Sequence, residues 1–212
     1  MTGTRDLTIR RAEPADAKRL TELLTDAFLI SRVGNWLIPG IGVRRHVYLR
    51  YFDIFVRHGL AHGLMDVTDD LTGVAIWLPR DHDTPGPQDY DQQLAEATGT
   101  WADRFRALDK TFDEQHPHEV FHHHLLFLGV LPSDQSRGIG SALLAHHHAY
   151  LDAEGIPAYL EASMPRNRDL YMRNAYTARD AFNLPDDGPP LWPMWRDPQV
   201  TQPSPREDDI RS

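Results

Sequence analysis

The segment from Ser133 to Leu144, SDQSRGIGSALL, constrains the fold of this chain more than any other stretch. It follows an apolar run and leads into residues with helical apolar spacing. Two glycines, Gly138 and Gly140, stand two apart at the start of this helix, directly after Arg137. Two explanations are open. The glycines either permit tight packing, or they remove side chains from a helix N-terminus so that backbone N–H groups face an anion.

Two common phosphate-binding motifs do not fit this spacing. A P-loop requires Gly-Lys-Ser/Thr, which does not follow. A dinucleotide fingerprint needs a third glycine and the first strand–turn–helix unit of its domain, whereas this segment lies beyond the midpoint of 212 residues.

The rest of the chain predicts a single α/β domain with a mixed sheet. Strands are predicted at 7–11, 60–68, 71–78, 122–131, 156–162, 176–184 and 191–196. Helices are predicted at 14–28, 43–58, 89–112 with a break near Gly99, 138–154 and 167–174. The order is strand, two helices, two strands, helix, then strand–helix–strand–helix–strand–strand, with 125–162 as a parallel strand–helix–strand unit. We expect the domain to span 1–197 and a disordered tail to span 198–212.

Composition narrows the function. The chain has no cysteine, which excludes disulfides, thiolate metal sites and a cysteine nucleophile. Its net charge of -9 argues against binding a nucleic-acid backbone. No apolar run reaches the length of a membrane span, and the N-terminus is too polar for a signal peptide. We therefore expect a cytoplasmic protein, a monomer or homodimer, with no nucleic-acid or membrane partner.

The glycine segment resembles a known family signature. Gln135-Ser136-Arg137-Gly138-Ile139-Gly140 follows Leu128-Gly129-Val130-Leu131-Pro132, and this pattern is similar to the acyl-coenzyme A signature of GNAT N-acetyltransferases. The opening strand and helix and the Asn-to-Tyr segment of the second half also resemble that family. The segment GPPLWPMWRDP resembles the closing strand of a subgroup that includes puromycin N-acetyltransferase.

The resemblance implies the GNAT acyl-CoA N-acyltransferase fold and acetyl-CoA as co-substrate, with no metal. Pantetheine would lie along the 125–130 strand where it splays from the 158–162 strand, and the diphosphate would lie on the glycine segment. The implied cofactor residues are Leu128, Gly129, Val130, Gln135, Ser136, Arg137, Gly138, Ile139, Gly140, Ser141 and Asn167. The alternative for Asn167 is a helix cap without a ligand role.

The resemblance also supplies catalytic candidates. Tyr171 matches the family's general-acid tyrosine; the alternative is an ordinary core tyrosine. Three residues are candidates for the base, none favoured over the others: His122, His124 and Glu161. Strand periodicity places both histidines on one face with Leu126, Leu128 and Val130.

Other features give weaker expectations. His122 to His124 and His146 to His148 look like metal tracts, but consecutive residues diverge on a strand or helix, so neither triplet is expected to chelate as a unit. Trp36 is expected in the acceptor pocket. The family has glycine where this chain has Ala175, so we expect Asn174 to take the left-handed turn in its place.

The expected activity is direct transfer of acetyl from acetyl-CoA to a primary amine of a small molecule. One such acceptor is an antibiotic-like aminonucleoside, and its acetylation would give antibiotic resistance. One alternative is acetylation of a protein lysine or N-terminus. The other is a non-catalytic module that senses coenzyme A.

Overall fold

The structure is a computed structural model that describes residues 7–81 and 84–199. The strands are β1 Ile9–Arg11, β2 Leu64–Thr68, β3 Gly73–Arg80, β4 His122–Val130, β5 Ala158–Ala162, β6 Thr177–Ala178, β7 Phe182–Asn183 and β8 Pro190–Arg196. The helices are α1 Ala17–Phe28, α2 Arg32–Leu37, α3 Ile41–His62, α4 Tyr90–Thr98, α5 Ala102–Gln115, α6 Ile139–Glu154 and α7 Pro165–Arg173. The predicted α/β class with a mixed sheet is confirmed.

The sheet has the order β1-β2-β3-β4-β5-β8-β6, with β7 paired to β8. Its neighbours pair antiparallel except β4 and β5, which are parallel as predicted for the strand–helix–strand unit. The β4–β5 ladder contains only two positions, His123 with Ala158 and His124 with Tyr159. Since β4 continues to Val130, its edge beyond His124 is left unpaired on the side of β5. This is the gap that the resemblance implies between the 125–130 and 158–162 strands.

Helices cover both faces of the sheet. The larger apolar core packs α1, α3, α4 and α5 against one face, and a smaller core packs α6 and α7 against the other. Within the larger core, Phe127 of β4 contacts three aromatic rings, those of Phe28, Phe52 and Phe55. These contacts tie the middle of β4 to α1 and α3.

A bulge in β4 changes which residues share a face. Ile76 of β3 pairs with Phe127 and Trp77 pairs with Leu125, so Leu126 is an extra residue in the ladder. Before the bulge, the even-numbered residues of β4 face α3 and α5. After the bulge, Phe127 faces these helices, and Leu128 packs in the core formed with α6 and α7. The expectation that His122, His124, Leu128 and Val130 lie on one face is therefore wrong.

Several predicted boundaries also shift. The second helix continues past Gly59 to His62, because Gly59 faces β2 and β3 rather than ending the helix. A Cβ there would lie 2.9 Å from Ile76 Cγ2 and from Met65 Sδ. The stretch 29–42, which separates the first two predicted helices, contains α2. The expected strand 176–184 is divided into β6 and β7. The break near Gly99 is confirmed.

Within 7–81 and 84–199, no helix combines the length and the apolar character that a bilayer crossing requires. Residues 200–212 of the expected tail lie outside the part of the chain that the structure describes.

Candidate active site

Two adjoining cavities lie where β4 and β5 part. The first, which we call the loop cleft, has a volume of about 450 Å³ and lies between β4, the 134–141 segment and α7. The second, the aromatic cavity, has a volume of about 520 Å³ and lies between the sheet and helices α1, α3, α4 and α5. Phe28, Ser31 and Ser163 line both. A group in one cavity can therefore meet a group in the other.

The loop cleft ends on the glycine segment. Ser136 and Gly138 have left-handed backbones, with φ of 65° and 84°, and α6 begins at Ile139 without a side-chain cap. The first N–H groups of α6 consequently have no capping partner from a side chain. A Cβ on Gly138 would meet nothing within 4 Å, and one on Gly140 would make only ordinary contacts. Tight packing therefore does not explain these two glycines, and the anion-binding explanation is favoured.

Two arginines add positive charge beside this segment. Arg137 is exposed and pairs with Asp134 at 2.9 Å. Arg166, from α7, donates to Ser136 Oγ at 2.9 Å. Backbone donors at a helix N-terminus flanked by guanidinium groups fit a diphosphate.

The edge of β4 supplies the other half of the cleft. The N–H of Leu131 bonds to the carbonyl of Thr72, on the β3 side of the strand. Because successive amides of a strand point to opposite edges, the N–H of Val130 points toward the cleft. Gln135 donates its side-chain amide to the carbonyl of Val130 at 3.2 Å. The exposed edge beyond His124 fits a ligand that carries amides, since it offers the donors and acceptors of a missing strand.

Most of the predicted cofactor residues line the loop cleft, but two do not. Gly129 faces α1, where a Cβ would lie 3.0 Å from Leu24 Cδ2, and the side chain of Arg137 lies at the rim. The lining residues from the prediction are Leu128, Val130, Gln135, Ser136, Gly138, Ile139, Gly140, Ser141 and Asn167.

Asn167 is not a helix cap. The helix α7 starts at Pro165 after Met164, so Asn167 is its third residue. Its side chain makes no hydrogen bond within the described segments 7–81 and 84–199, and the residue lines the loop cleft. This position leaves its amide available to a ligand.

Tyr171 also lines the loop cleft, four residues further along α7. Its ring is buried beside Tyr176, and burial raises the pKa of its hydroxyl above the ordinary value. The hydroxyl makes no hydrogen bond to any residue of the described chain. It is therefore a protonated donor without a partner at the edge of the cleft, which suits a general acid.

The turn after α7 departs from the expectation. Ala175 itself adopts the left-handed conformation, with φ of 67°, while Asn174 stays at φ of -104°. The expected shift of the turn by one residue is wrong. The backbone keeps the geometry and accepts an alanine in a region that favours glycine.

His124 and Glu161 form a buried pair where the strands separate. His124 donates its Nε2–H to Glu161 Oε2 at 3.0 Å, and their side chains are 6% and 5% exposed. Both residues line the aromatic cavity. His124 Nδ1 and Glu161 Oε1 are buried without a hydrogen-bond partner. These two atoms can accept a proton or an ammonium N–H from a bound amine.

His122 does not line either cavity, but it supports a residue that does. Its Nδ1–H donates to the carbonyl of Val120 at 2.7 Å, and burial lowers its pKa to about 4. The neutral ring must therefore accept at Nε2, where His116 donates at 3.1 Å. His116 lines the aromatic cavity, and no sequence pattern marked it because it lies in the loop before β4.

Trp36 is placed outside both cavities. Its indole N–H donates to the carbonyl of Pro185 at 3.0 Å, and its own carbonyl accepts from Arg104. The residue ties α2 to the loop before β8 and to α5, which is a structural role.

The walls of the aromatic cavity are mainly apolar. Phe52, Phe55 and Phe127 form one side, while Tyr90 and Asp109 form a polar end. Tyr90 donates to Asp109 at 2.8 Å, and burial raises the pKa of that carboxyl to about 6.

Neither histidine triplet meets at one point, as expected of consecutive residues. His146 and His147 both approach Asp66, at 3.6 Å and 3.2 Å, but His148 bonds to Tyr176. His123 points to the α6 face and bonds with His147 at 3.0 Å, away from His122 and His124. A different set does converge. One ligand atom from each of His116, His124 and Glu161 lies within 4.8 Å of the others, and this donor set has the composition of a transition-metal site.

The chain is similar to several known acetyltransferases. No family model matches the chain. An uncharacterized N-acetyltransferase of Schizosaccharomyces pombe is 24% identical over 90% of this chain and 83% of that protein. A structure of histone acetyltransferase HPA2 and related acetyltransferase from Corynebacterium glutamicum is 26% identical, covers 95% of this chain and 100% of the other, and gives a TM-score of 0.67.

Two further structures share the fold at lower identity. Arylalkylamine N-acetyltransferase 2 of Aedes aegypti is 11% identical, covering 92% of this chain and 100% of that one, with a TM-score of 0.61. NAA60 of Arabidopsis thaliana, solved with acetyl-CoA, is 14% identical, covering 90% and 98%, with a TM-score of 0.57. The chain thus has the GNAT fold, and its neighbours in sequence and structure support its assignment as a GNAT-type N-acetyltransferase.

Proposed function

We propose that this protein transfers acetyl from acetyl-CoA to the primary amine of a small molecule bound in the aromatic cavity. The observation that carries the proposal is the junction of the two cavities at Phe28, Ser31 and Ser163, next to the His124–Glu161 pair. A neighbour solved with acetyl-CoA supports that co-substrate. Acetyl-CoA would occupy the loop cleft, with its diphosphate on the 136–141 backbone and its amides along β4.

The reaction needs a base for the incoming ammonium. Glu161 Oε1 and His124 Nδ1 are buried, lack partners and belong to cavity-lining residues. The amine loses a proton to this pair, and its nitrogen then attacks the carbonyl carbon of the acetyl thioester. Because His124 donates its Nε2–H to Glu161, Nδ1 is the ring nitrogen that can accept the proton.

The remaining charge develops on the carbonyl oxygen and the sulfur. The N–H of Val130 points toward the cleft and can donate to the oxyanion. As the carbon–sulfur bond breaks, Tyr171 donates its phenolic proton to the thiolate. The nitrogen loses a second proton as the amide forms. The products are the N-acetyl amide, free coenzyme A and one released proton, since only one of the two protons lost from the nitrogen is balanced by the proton given to sulfur.

The size and lining of the aromatic cavity support a small acceptor. A volume of about 520 Å³ lies within the range of small-molecule sites. An arylalkylamine N-acetyltransferase among the structural neighbours agrees with an apolar amine. An aminonucleoside of the puromycin type is one such amine.

A thiol-release assay separates the candidates. We expect free thiol to appear with acetyl-CoA and small aromatic amines, and at least tenfold more slowly with lysine peptides or peptide N-termini. Faster acetylation of peptides would favour the protein-acetylating alternative, which the similarity to histone acetyltransferase HPA2 and related acetyltransferase also supports. Coenzyme A binding without turnover on any amine would favour the sensor alternative.

A further inference from the structure

Arg80 holds a charge that the rest of the described chain leaves unpaired. It is the last residue of β3, and its backbone pairs with His122. The residue lines the aromatic cavity, and its Nε is buried with no hydrogen-bond partner. Within 7–81 and 84–199 its guanidinium makes neither a hydrogen bond nor a salt bridge.

Two carboxylates lie near this guanidinium without contacting it. Burial lowers the pKa of Arg80, and the negative charges of Glu161 and Asp113 oppose this effect, yet neither carboxylate forms an ion pair with the guanidinium. Elsewhere in this protein arginine and carboxylate do meet closely, as in the two 2.7 Å bonds from Arg196 to Asp152. Arg80 is half-buried and its Nε is fully buried. A charged group removed from water is costly unless it is paired, so this unpaired guanidinium at the cavity indicates a missing anionic partner.

We propose that Arg80 binds the carboxylate of the acceptor, so that the acceptor is an α-amino acid with an apolar or aromatic side chain. The proposal rests on the proposed function and names its substrate class. The ammonium bonds to Glu161 Oε1, the carboxylate bonds to Arg80, and the side chain fills the space beside Phe52 and Phe55.

Electrostatics favours this ligand over the other candidates. An amino acid is a net-neutral zwitterion, and it meets one carboxylate and one guanidinium. A divalent cation on His116, His124 and Glu161 would instead lie in the same cavity as the positive charge of Arg80. A simple amine would satisfy Glu161 and leave Arg80 unpaired.

The remaining charged and titratable neighbours do not replace the missing anion. His116, His118 and His124 line the same cavity, as do Asp81 and Asp113. Burial lowers the pKa of His116 to about 2, so that ring is neutral. His118 lies by Asp113, where its Nε2 bonds to the backbone carbonyl.

Matched acceptors test the proposal. Phenylalanine and 2-phenylethylamine share a ring and a primary amine and differ by the carboxylate; leucine and 3-methylbutylamine form a second pair. We expect kcat/KM to be at least tenfold higher for each amino acid. In Arg80→Met the preference should disappear, because KM should rise at least tenfold more for the amino acid than for the simple amine. Arg80→Lys should restore only part of it, because lysine lacks the bidentate fork.

Control measurements distinguish the loss of the carboxylate site from a general loss of activity or stability. Arg50→Met, an exposed arginine of α3, should leave both substrates unchanged. The urea midpoint of Arg80→Met should not fall, since that variant loses an unpaired charge. Equal or better use of the simple amines by the wild type would overturn the carboxylate site while leaving acetyl transfer intact.

Calorimetry with coenzyme A present separates the two proposals fully. Phenylalanine binding that is lost in Arg80→Met supports the site even if no acetyl is transferred, in which case the proposed function fails alone. No heat from phenylalanine or leucine with the wild type would overturn the site.

Discussion

His124 and Glu161 meet across the only parallel strand pair of the described sheet, with Nε2 and Oε2 3.0 Å apart. His124 is also the last residue of β4 that pairs with β5. The buried pair therefore lies at the vertex of the gap, where the loop cleft and the aromatic cavity adjoin. The strand topology that opens the cleft also positions the groups proposed to deprotonate the amine.

Replacement of Tyr171 by phenylalanine should lower kcat at least tenfold, because the thiolate loses its proton donor. The urea midpoint should not change, since the hydroxyl has no partner in the described chain to lose. Acetyl-CoA affinity should stay within twofold. Steady-state kinetics and urea unfolding on the same preparation measure all three.

Tyr176→Phe is the matched control for this variant. Tyr176 packs against Tyr171, but its hydroxyl bonds to Nε2 of the buried His148 at 3.1 Å. Its loss should cost about 1–3 kcal/mol of stability and leave kcat nearly unchanged. If instead Tyr176→Phe lost activity and Tyr171→Phe did not, the assignment of the general acid would be wrong.

Gly138→Ala should weaken coenzyme A binding at least tenfold. The backbone of Gly138 has φ of 84°, where a Cβ costs about 1–2 kcal/mol, and relaxation of the loop would misdirect the N–H groups of α6. Isothermal calorimetry measures the affinity. Gly42→Ala, in α3 with open space around it and no positive φ, should bind coenzyme A like the wild type. Unchanged affinity in Gly138→Ala would argue against a phosphate site on this segment.

The protein should lose stability as the pH falls below about 6.5. Burial lowers the pKa of His122 and His123 to about 4 and that of His148 to about 3, so these rings stay neutral in the folded state. The unfolded chain takes up protons near pH 6.5 that the folded chain does not. Each ring then contributes a loss that approaches about 1.4 kcal/mol per pH unit until its folded pKa is reached.

Asp109 acts in the opposite direction. Burial raises its pKa in the folded state to about 6, so between pH 6 and 4 the folded chain binds a proton that the unfolded chain does not. The resulting gain in stability offsets the loss from about one histidine. Urea midpoints at pH 7.5, 6.5 and 5.0 test the balance. Equal midpoints at pH 7.5 and 5.0 would contradict the burial of neutral histidines.

The loop cleft was predictable because its signal is local. The glycine pattern from Gln135 to Gly140 directly follows a strand, and its backbone geometry depends on few distant contacts. Parallel pairing of β4 with β5 followed from the strand–helix–strand order for the same reason.

The face on which each β4 residue lies was not predictable, because the cause is not in β4 alone. The extra residue at Leu126 arises from how β4 fits against β3, and it reverses the alternation for Leu128 and Val130. Gly59 is a similar case. Its glycine is needed where α3 approaches Ile76, whereas the sequence pattern indicated a helix end.

His116 shows why the candidate site was only partly found. It lies in the segment between α5 and β4, and only the fold brings it beside His122 and His124. Conversely, Trp36 looked like a pocket residue because of its place in the chain, but its indole is directed to Pro185. Residues contributed by loops depend on long-range packing that periodicity does not report.

The most direct test of the account is the rate of acetyl transfer by Glu161→Gln, measured as thiol release at saturating acetyl-CoA. The substitution keeps the shape of the side chain and removes the charge that receives the ammonium. We predict that kcat/KM for the amine falls about 10²- to 10⁴-fold while coenzyme A affinity is unchanged, and that Glu96→Gln, on the exposed face of α4, has no effect. A rate equal to that of the wild type would contradict the assignment of the His124–Glu161 pair as the base.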